Sequence, residues 1–199
     1  MTAGSWPAVM LADAELRALC RRADIMAMPI SAPRYTVDQL RGFPEDGNRY
    51  ELLDGVLLVT PAPRQLHQLV AGRLHVQIAN ALAPSGLAEV VEVGELEIGN
   101  RTLLNPDILV YPRRYTPDTP WKLMREWWLA VEVLSPSSRV YDREFKRQAY
   151  QAIGVEETWL VDPEARRVEV WPRGAGTARV EEERIAWRDM VIELGSLWT

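Results

Sequence analysis

The fold of this chain depends on two apolar runs, Asn105-Pro106-Asp107-Ile108-Leu109-Val110-Tyr111 and Trp127-Trp128-Leu129-Ala130-Val131-Glu132-Val133-Leu134. Short runs of this kind are typical of buried β-strands. In the second run side chains alternate between two faces, so Glu132 shares its face with Ala130 and Leu134. A buried carboxylate is costly unless it is paired or binds a cation. Taken singly, Asp107 or Glu132 fits a solvated or salt-bridged strand end. Together on successive strands they favour a cation site.

A helix is predicted after Ser138, and it carries Lys146. At the helical period its apolar face comprises Tyr141, Phe145, Ala149, Ala152 and Ile153, with Lys146 at the edge of that face and Arg143, Arg147 and Gln151 directed to solvent. Only two of the 23 basic residues are lysines, Lys122 and Lys146. A lysine here suggests a compact ammonium whose pKa can move, which arginine does not provide. The alternative is a surface ion pair between Asp142 and Lys146.

An ordered series of motifs surrounds these residues. It comprises Tyr50-Glu51-Leu52-Leu53-Asp54-Gly55, His67, Asn105-Pro106-Asp107, Glu132 to Ser138, Asp142, Lys146, Tyr150, Gly154-Val155 and Glu157 to Pro163. The series resembles the Uma-two family of endonucleases, within the PD-(D/E)XK nuclease superfamily, over roughly residues 35–171. One position departs from the superfamily pattern, because Leu134 stands where a lysine is expected two residues after Glu132. The lysine role therefore passes to Lys146 only if its side chain reaches the site from the helix.

The resemblance implies a mixed α/β domain in which a central mixed β-sheet is flanked by helices, the restriction-endonuclease-like fold. It also implies hydrolysis of DNA phosphodiester bonds with Mg²⁺ or Mn²⁺, hard cations that prefer oxygen ligands. Asp107, Glu132 and the carbonyl of Val133 would hold the metal, and Lys146 would stabilise the developing charge. Glu51 and His67 would be auxiliary members of the site.

In a second hypothesis the chain has the same fold but does not catalyse hydrolysis. The chain would then be an inactive nuclease-like module that binds nucleic acid or a protein partner. The missing lysine at position 134 and the formal net charge of −5 both favour this alternative.

Composition limits the class of protein. With 199 residues, 47% hydrophobic and 26% charged, the chain is long enough for one domain with a substantial core. The acidic net charge argues against a generic nucleic-acid coat. A single cysteine, Cys20, excludes an intrachain disulfide and predicts a cytoplasmic protein. No apolar run is long enough to predict a membrane span.

The sequence predicts an N-terminal extension over residues 1–33 and a nuclease-like domain over residues 34–199. A loose helix at 11–23 is expected in the extension, with a role in oligomerisation as one interpretation. Residues 179–199 are predicted to form edge strands or a dimer surface, so a homodimer is left open.

Two further elements are predicted to border the site. Residues 49–60 read as a hairpin around Asp54-Gly55, with Glu51 on its first strand. A helix at 64–82 carries the apolar stripe Leu66, Leu69, Val70, Leu74, Ile78 and Ala81. His67 falls on that stripe as a core residue or a site residue, and His75 is expected on the opposite side.

Three smaller features complete the sequence predictions. Thr36 is expected to cap a short helix at 37–43. The arginine-containing loop 113–125 is either a phosphate-contacting rim or a solvated loop. Gly154 is predicted to end the Lys146 helix, before a hairpin formed by residues 158–161 and 167–171.

Overall fold

The computed structural model describes residues 33–136 and 138–199. The helix predicted at 11–23 lies outside these residues. The helices are α1 (Val37–Leu40), α2 (Gln65–Leu82), α3 (Arg139–Tyr141) and α4 (Arg147–Ile153), with a π-helical turn, Asp142–Lys146, between α3 and α4. The strands are β1 (Arg49–Leu53), β2 (Val56–Thr60), β3 (Ala88–Glu92), β4 (Leu96–Ile98), β5 (Thr102–Leu104), β6 (Ile108–Pro112), β7 (Leu129–Val133), β8 (Glu157–Asp162), β9 (Arg167–Pro172), β10 (Arg179–Glu181), β11 (Arg184–Trp187) and β12 (Met190–Glu193).

A six-stranded sheet forms the centre of the described structure. Its strand order is β10-β9-β8-β7-β6-β3, and β7 runs parallel to β8 while the other pairs are antiparallel. Parallel neighbours require a crossover connection, and the helical segment from Arg139 to Ile153 provides it. The predicted mixed sheet is therefore confirmed.

Apolar side chains cover both faces of this sheet. On one face Leu129, Val131 and Val133 pack against α2 and the hairpin of β11 and β12. On the other face Ala130 packs with Ala149 and Tyr150 of α4. The alternation read from the sequence is confirmed, because β7 is buried on both faces and Glu132 lies on the α4 side.

A smaller four-stranded sheet, in the order β2-β1-β5-β4, lies beside the start of β6. Its hairpin turns at Asp54 and Gly55, whose φ angles of 46° and 80° are those of a tight hairpin turn. The strand predicted over Asn105 to Tyr111 begins only at Ile108. The chain leaves β5 at Leu104 and enters β6 at Ile108, so Asp107 sits where it passes from one sheet to the other.

Other elements match their predictions to different degrees. Thr36 caps α1 through a reciprocal bond with Gln39, but α1 ends at Leu40 rather than at residue 43. Helix α2 begins and ends as predicted, yet Leu66 and Leu69 are exposed because only the narrower stripe from Val70 to Leu82 faces the sheet.

Two predicted turns are confirmed nearer the C-terminus. Gly154 ends α4 with a φ of 98°, and β8 and β9 form the expected hairpin. In the part of the chain that the structure describes, no helix has the length and apolar character needed to cross a membrane.

Candidate active site

Strand pairing brings the two predicted carboxylates together. Ile108 of β6 pairs with Val131 of β7, so one more step of the antiparallel register sets Asp107 opposite Glu132. Directly opposed residues in such a ladder project to the same face of the sheet. The backbone N–H of Val133 donates to Oδ2 of Asp107 at 2.8 Å. Both groups of one residue face the same neighbour in an antiparallel pair, so the Val133 carbonyl also faces β6.

Asp107 is held by three donors at the edge of the sheet. Besides Val133, Arg49 donates to Oδ1 at 2.9 Å and Nε2 of His67 lies 3.0 Å from Oδ2. Burial alone would raise the pKa of Asp107, but the hydrogen bond and charge of His67, with Arg49 and the Val133 N–H, lower it to about 2. This carboxylate is therefore ionised at neutral pH.

Lys146 lies at the centre of a buried ionic cluster. Its Nζ is 2.9 Å from Glu51, 3.0 Å from Glu132 and 3.7 Å from Asp142. The expectation that this ammonium reaches Glu132 is confirmed. Burial would lower the pKa of Lys146, yet the surrounding carboxylates outweigh it and raise that pKa well above its usual range. The pKa of Lys146 is therefore shifted upward by its carboxylate neighbours, and the side chain stays a protonated cation.

A π-helical turn accounts for the direction of Lys146. Arg147 donates its N–H to the carbonyl of Asp142, an i→i+5 bond that widens the turn. As a result Asp142 and Lys146 are both 2% exposed, and Phe145, predicted to be buried, is 39% exposed. The prediction assumed a regular helical period, which a π-turn breaks.

The predicted solvent face of this helical segment is also wrong. Arg143 pairs with Glu169 and Asp162, and the guanidinium of Arg147 lies 4.1 Å from the centroid of the Trp171 ring. Ala152, in contrast, is exposed. The polar side chains reach β8 and β9 because the strands after Gly154 fold back beside the helix.

Glu132 has two donors on a single oxygen. Lys146 and the hydroxyl of Tyr150 both donate to Oε1. Burial raises the pKa of Glu132 well above its usual range, although Lys146 opposes this effect. Among the described residues these two hydrogen bonds leave Oε2 as the oxygen offered to a further ligand.

Glu51 is a central member of the cluster rather than an exposed edge residue. It is 1% exposed on β1, and its Oε1 accepts the backbone N–H of Asn105 at 2.8 Å. Since Asn105 begins the segment that carries Asp107, Glu51 ties the small sheet to the large one. It also supplies Lys146 with a second carboxylate.

The prediction that the two histidines of α2 lie on opposite sides of the helix is wrong. His67 contacts Asp107, while His75 lies 3.5 Å from Glu92 and 3.3 Å from the carbonyl of Val90. The reason is that eight residues advance a helix by only about 80° beyond two full turns. His67 borders a cleft of about 190 Å³ that Arg49, Asp107 and Glu92 also line.

The loop at 113–125 is distant from this cluster. It leaves the far end of β6, roughly 20 Å along the strand from Asp107 at about 3.3 Å per residue. Arg113 pairs with Glu89 and Arg114 with Glu126. The loop therefore does not form a phosphate-contacting rim next to the carboxylates.

Two residues of the cluster were not singled out from the sequence as site residues. Arg49 precedes Glu51 by two residues, so strand alternation places both on one face of β1. Tyr150 follows Lys146 by one helical turn, which sets both side chains on one face. These spacings were the available signals, but neither says which strand or helix lies opposite.

The charges of the cluster leave room for a divalent cation. Four buried carboxylates meet here: Glu51, Asp107, Glu132 and Asp142. Two permanent cations, Lys146 and Arg49, contact them, so the carboxyl groups outnumber the permanent positive charges. Burial raises the pKa of Asp142 to about 6, although Lys146 opposes this effect.

The donors present suit Mg²⁺, which binds through one or two carboxylates and keeps several waters. Within the described ranges, no group of three or more His, Cys, Asp and Glu side chains forms a ready-made metal cage. The contacts explain this, since Asp107 is held by protein donors and one oxygen of Glu132 is occupied.

A mixed sheet flanked by helices, with one carboxylate just before β6 and another on β7, defines a protein of the restriction-endonuclease-like fold. A family model described as "Putative restriction endonuclease" matches residues 37–194. The chain therefore belongs to the Uma2 family, as the sequence motifs predicted, and this supports a nuclease.

A solved structure shows the same fold. It is described as a putative nuclease belonging to DUF820 from Anabaena variabilis. The two chains share 18% sequence identity with a TM-score of 0.67, and the match covers 82% of this chain and 97% of the other. No match was found among curated proteins.

Proposed function

We propose that this protein is a metal-dependent endonuclease that hydrolyses DNA phosphodiester bonds. The observation that carries the proposal is the position of Lys146, whose Nζ lies between Glu51 and Glu132 beside the opposed pair of Asp107 and Glu132. A lysine is absent two residues after Glu132, and the helix supplies one instead. The family assignment agrees with this reading.

Asp107, Glu132 and the Val133 carbonyl are the groups proposed to hold Mg²⁺ or Mn²⁺. When bound, such an ion supplies Lewis acidity toward a phosphoryl oxygen and lowers the pKa of a water molecule. Val133 ties the two carboxylates together, because its N–H holds Asp107 while Glu132 is the preceding residue. Tyr150 holds Oε1 of Glu132, so Oε2 would be the oxygen available to the ion.

Lys146 is proposed to stabilise the negative charge that develops on the phosphate. Its raised pKa keeps it protonated, so it acts as a fixed positive charge rather than as a base. Glu51 and Asp142 orient the ammonium, and burial keeps water from screening it. His67 and Arg49 hold Asp107 ionised at the cleft.

The alternative, a binding module without catalysis, rests on the contacts of Asp107. Both of its oxygens already accept hydrogen bonds from the protein, as in a closed ion network. In that case divalent ions would leave the thermal stability unchanged.

A cleavage assay tests the proposal. Full-length protein is incubated with duplex, single-stranded and branched DNA in the presence of Mn²⁺, Mg²⁺ or a chelator. We expect metal-dependent cleavage that Asp107→Ala abolishes and that Lys146→Ala lowers by on the order of 10²-fold. Lys146→Arg should rescue little, because a planar guanidinium does not replace a compact ammonium.

Gln148→Ala is the matched control, since Gln148 is an exposed residue two positions beyond Lys146. It should retain the wild-type rate. Absence of cleavage for every substrate and metal, or full activity of Asp107→Ala, would contradict the proposal.

A further inference from the structure

Two aromatic rings beside the carboxylate cluster are stacked on each other and are partly open to solvent. The Tyr141 and Phe145 centroids are 5.4 Å apart with an interplanar angle of 18°. Phe145 is 39% exposed, and the neighbouring Val140 is 71% exposed. In the described part of the chain neither ring belongs to a hydrophobic core cluster. Packing of the core therefore does not explain an exposed phenylalanine here.

The stacked pair connects solvent to the ionic cluster. Phe145 directly precedes Lys146, and both belong to the π-helical turn that orients the lysine. Tyr141 is half-buried, and its enclosed hydroxyl has no hydrogen-bond partner among the described residues. Burial raises the pKa of the Tyr141 hydroxyl, and the charge of Glu51 adds to this rise while Lys146 opposes it. The rings are therefore adjacent in the chain to the lysine that contacts Glu51 and Glu132.

The helical segment offers little free positive charge to a nucleic acid. Arg139 pairs with Glu164 and Asp162, and Arg143 pairs with Glu169 and Asp162. The formal net charge of the chain is −5. Phosphate contacts normally dominate nucleic-acid affinity, so a surface of this kind needs another source of binding energy. Stacking of bases on aromatic side chains is such a source.

We infer that Phe145, backed by Tyr141, is a stacking platform for an unpaired DNA base next to the scissile phosphate. A base inside a duplex presents its edges, and its flat faces are covered by its neighbours. Only a base that is unpaired or lifted from the stack can lie on the ring. The substrate class is therefore DNA with unpaired nucleotides, such as single strands, gaps or flaps, and this assignment rests on the proposed nuclease function.

Binding and cleavage are measured separately to test this inference. Anisotropy of a fluorescent oligothymidylate reports binding in Ca²⁺ buffer, and a gel checks that the oligonucleotide stays intact. Phe145→Ala should weaken binding by about 5- to 150-fold, the range for loss of one stacked base. Phe145→Trp should retain it. The dependence of log Kd on log salt should stay unchanged, because no phosphate contact is removed.

Leu87→Ala is the matched control, since Leu87 is an exposed apolar residue, 64% exposed, away from the helix. Equal binding by wild type and Phe145→Ala, or a smaller salt slope in the variant, would overturn the inference. Cleavage of paired and unpaired DNA at equal rates by both proteins would also overturn it, while the proposed nuclease function stands. Binding that depends on Phe145 without cleavage under any metal would support the platform and contradict the nuclease function alone.

Discussion

Replacement of Lys146 by methionine is the sharpest test of the buried cluster. The substitution keeps an unbranched side chain of similar length and removes the ammonium that lies within 3.0 Å of Glu51 and Glu132. All three side chains are at most 3% exposed, so the carboxylates would stay buried without their cation. Breaking a buried ion pair from one side costs about 3–5 kcal/mol. We expect a loss of unfolding free energy of this size near neutral pH.

The pH dependence of that loss identifies its cause. Carboxylates left without Lys146 take up protons more readily in the folded state than in the unfolded state. Lys146 lowers the pKa of Asp142, so without Lys146 that pKa lies above about 6, and the stability of the variant should rise relative to wild type as the pH is lowered from about 8. Urea unfolding of both proteins between about pH 4 and pH 8 measures this difference.

The matched control is Gln148→Met, an exposed substitution on α4 that should change stability by less than about 0.5 kcal/mol. A Lys146→Met variant within about 1 kcal/mol of wild type at neutral pH would refute the reasoning. A larger loss that stays constant with pH would point to packing instead of charge.

Three further outcomes are expected. Mg²⁺ or Mn²⁺ should raise the Tm of the wild type by binding the native state, and Glu132→Gln should abolish that rise; an equal rise in both would remove Glu132 from the metal site. Asp142→Asn should stabilise the metal-free protein by on the order of 1–3 kcal/mol above about pH 6, because a carboxyl pKa raised from 3.8 to about 6 disfavours its charged folded form. That gain in stability should vanish below about pH 4. The control Asp118→Asn, at an exposed position, should show no gain in stability. A destabilised Asp142→Asn would contradict the raised pKa of Asp142. His67→Ala should impair cleavage more than His75→Ala, because His67 contacts Asp107 and His75 contacts β3; the reverse order in cleavage rates would exclude His67.

The sequence was sufficient to predict the features that depend on a pattern along a single strand or helix. Alternation along β7 located Glu132, and the motif series identified the family. The order of motifs also led to Lys146 despite Leu134, because a long side chain on the next helix can reach the end of the strand. These inferences use spacing along one element or a shared pattern.

Contacts between distant elements were not predictable in the same way. Arg49 and Asp107 are 58 positions apart, and no periodicity encodes which strand lies beside which. The π-turn changed the register of the Lys146 helix, so Phe145 was predicted to be buried and Arg143 to be exposed. The wider i→i+5 turn exposes Phe145, and β8 and β9 fold back beside the helix, where their carboxylates pair with Arg143.

That wider turn also determines what the loss of a single residue would do to the helix. A π-turn holds one more residue than the α-helical turn it replaces, as if a single codon had been inserted into an ordinary helix. Deleting Glu144 would restore the regular ladder and turn α3 by about 100° relative to α4. Lys146 and Tyr150 would keep their common face, while Tyr141 and Asp142 would swing away. The extra residue of the π-turn therefore keeps an acidic and an aromatic group on the side of the helix where Lys146 lies.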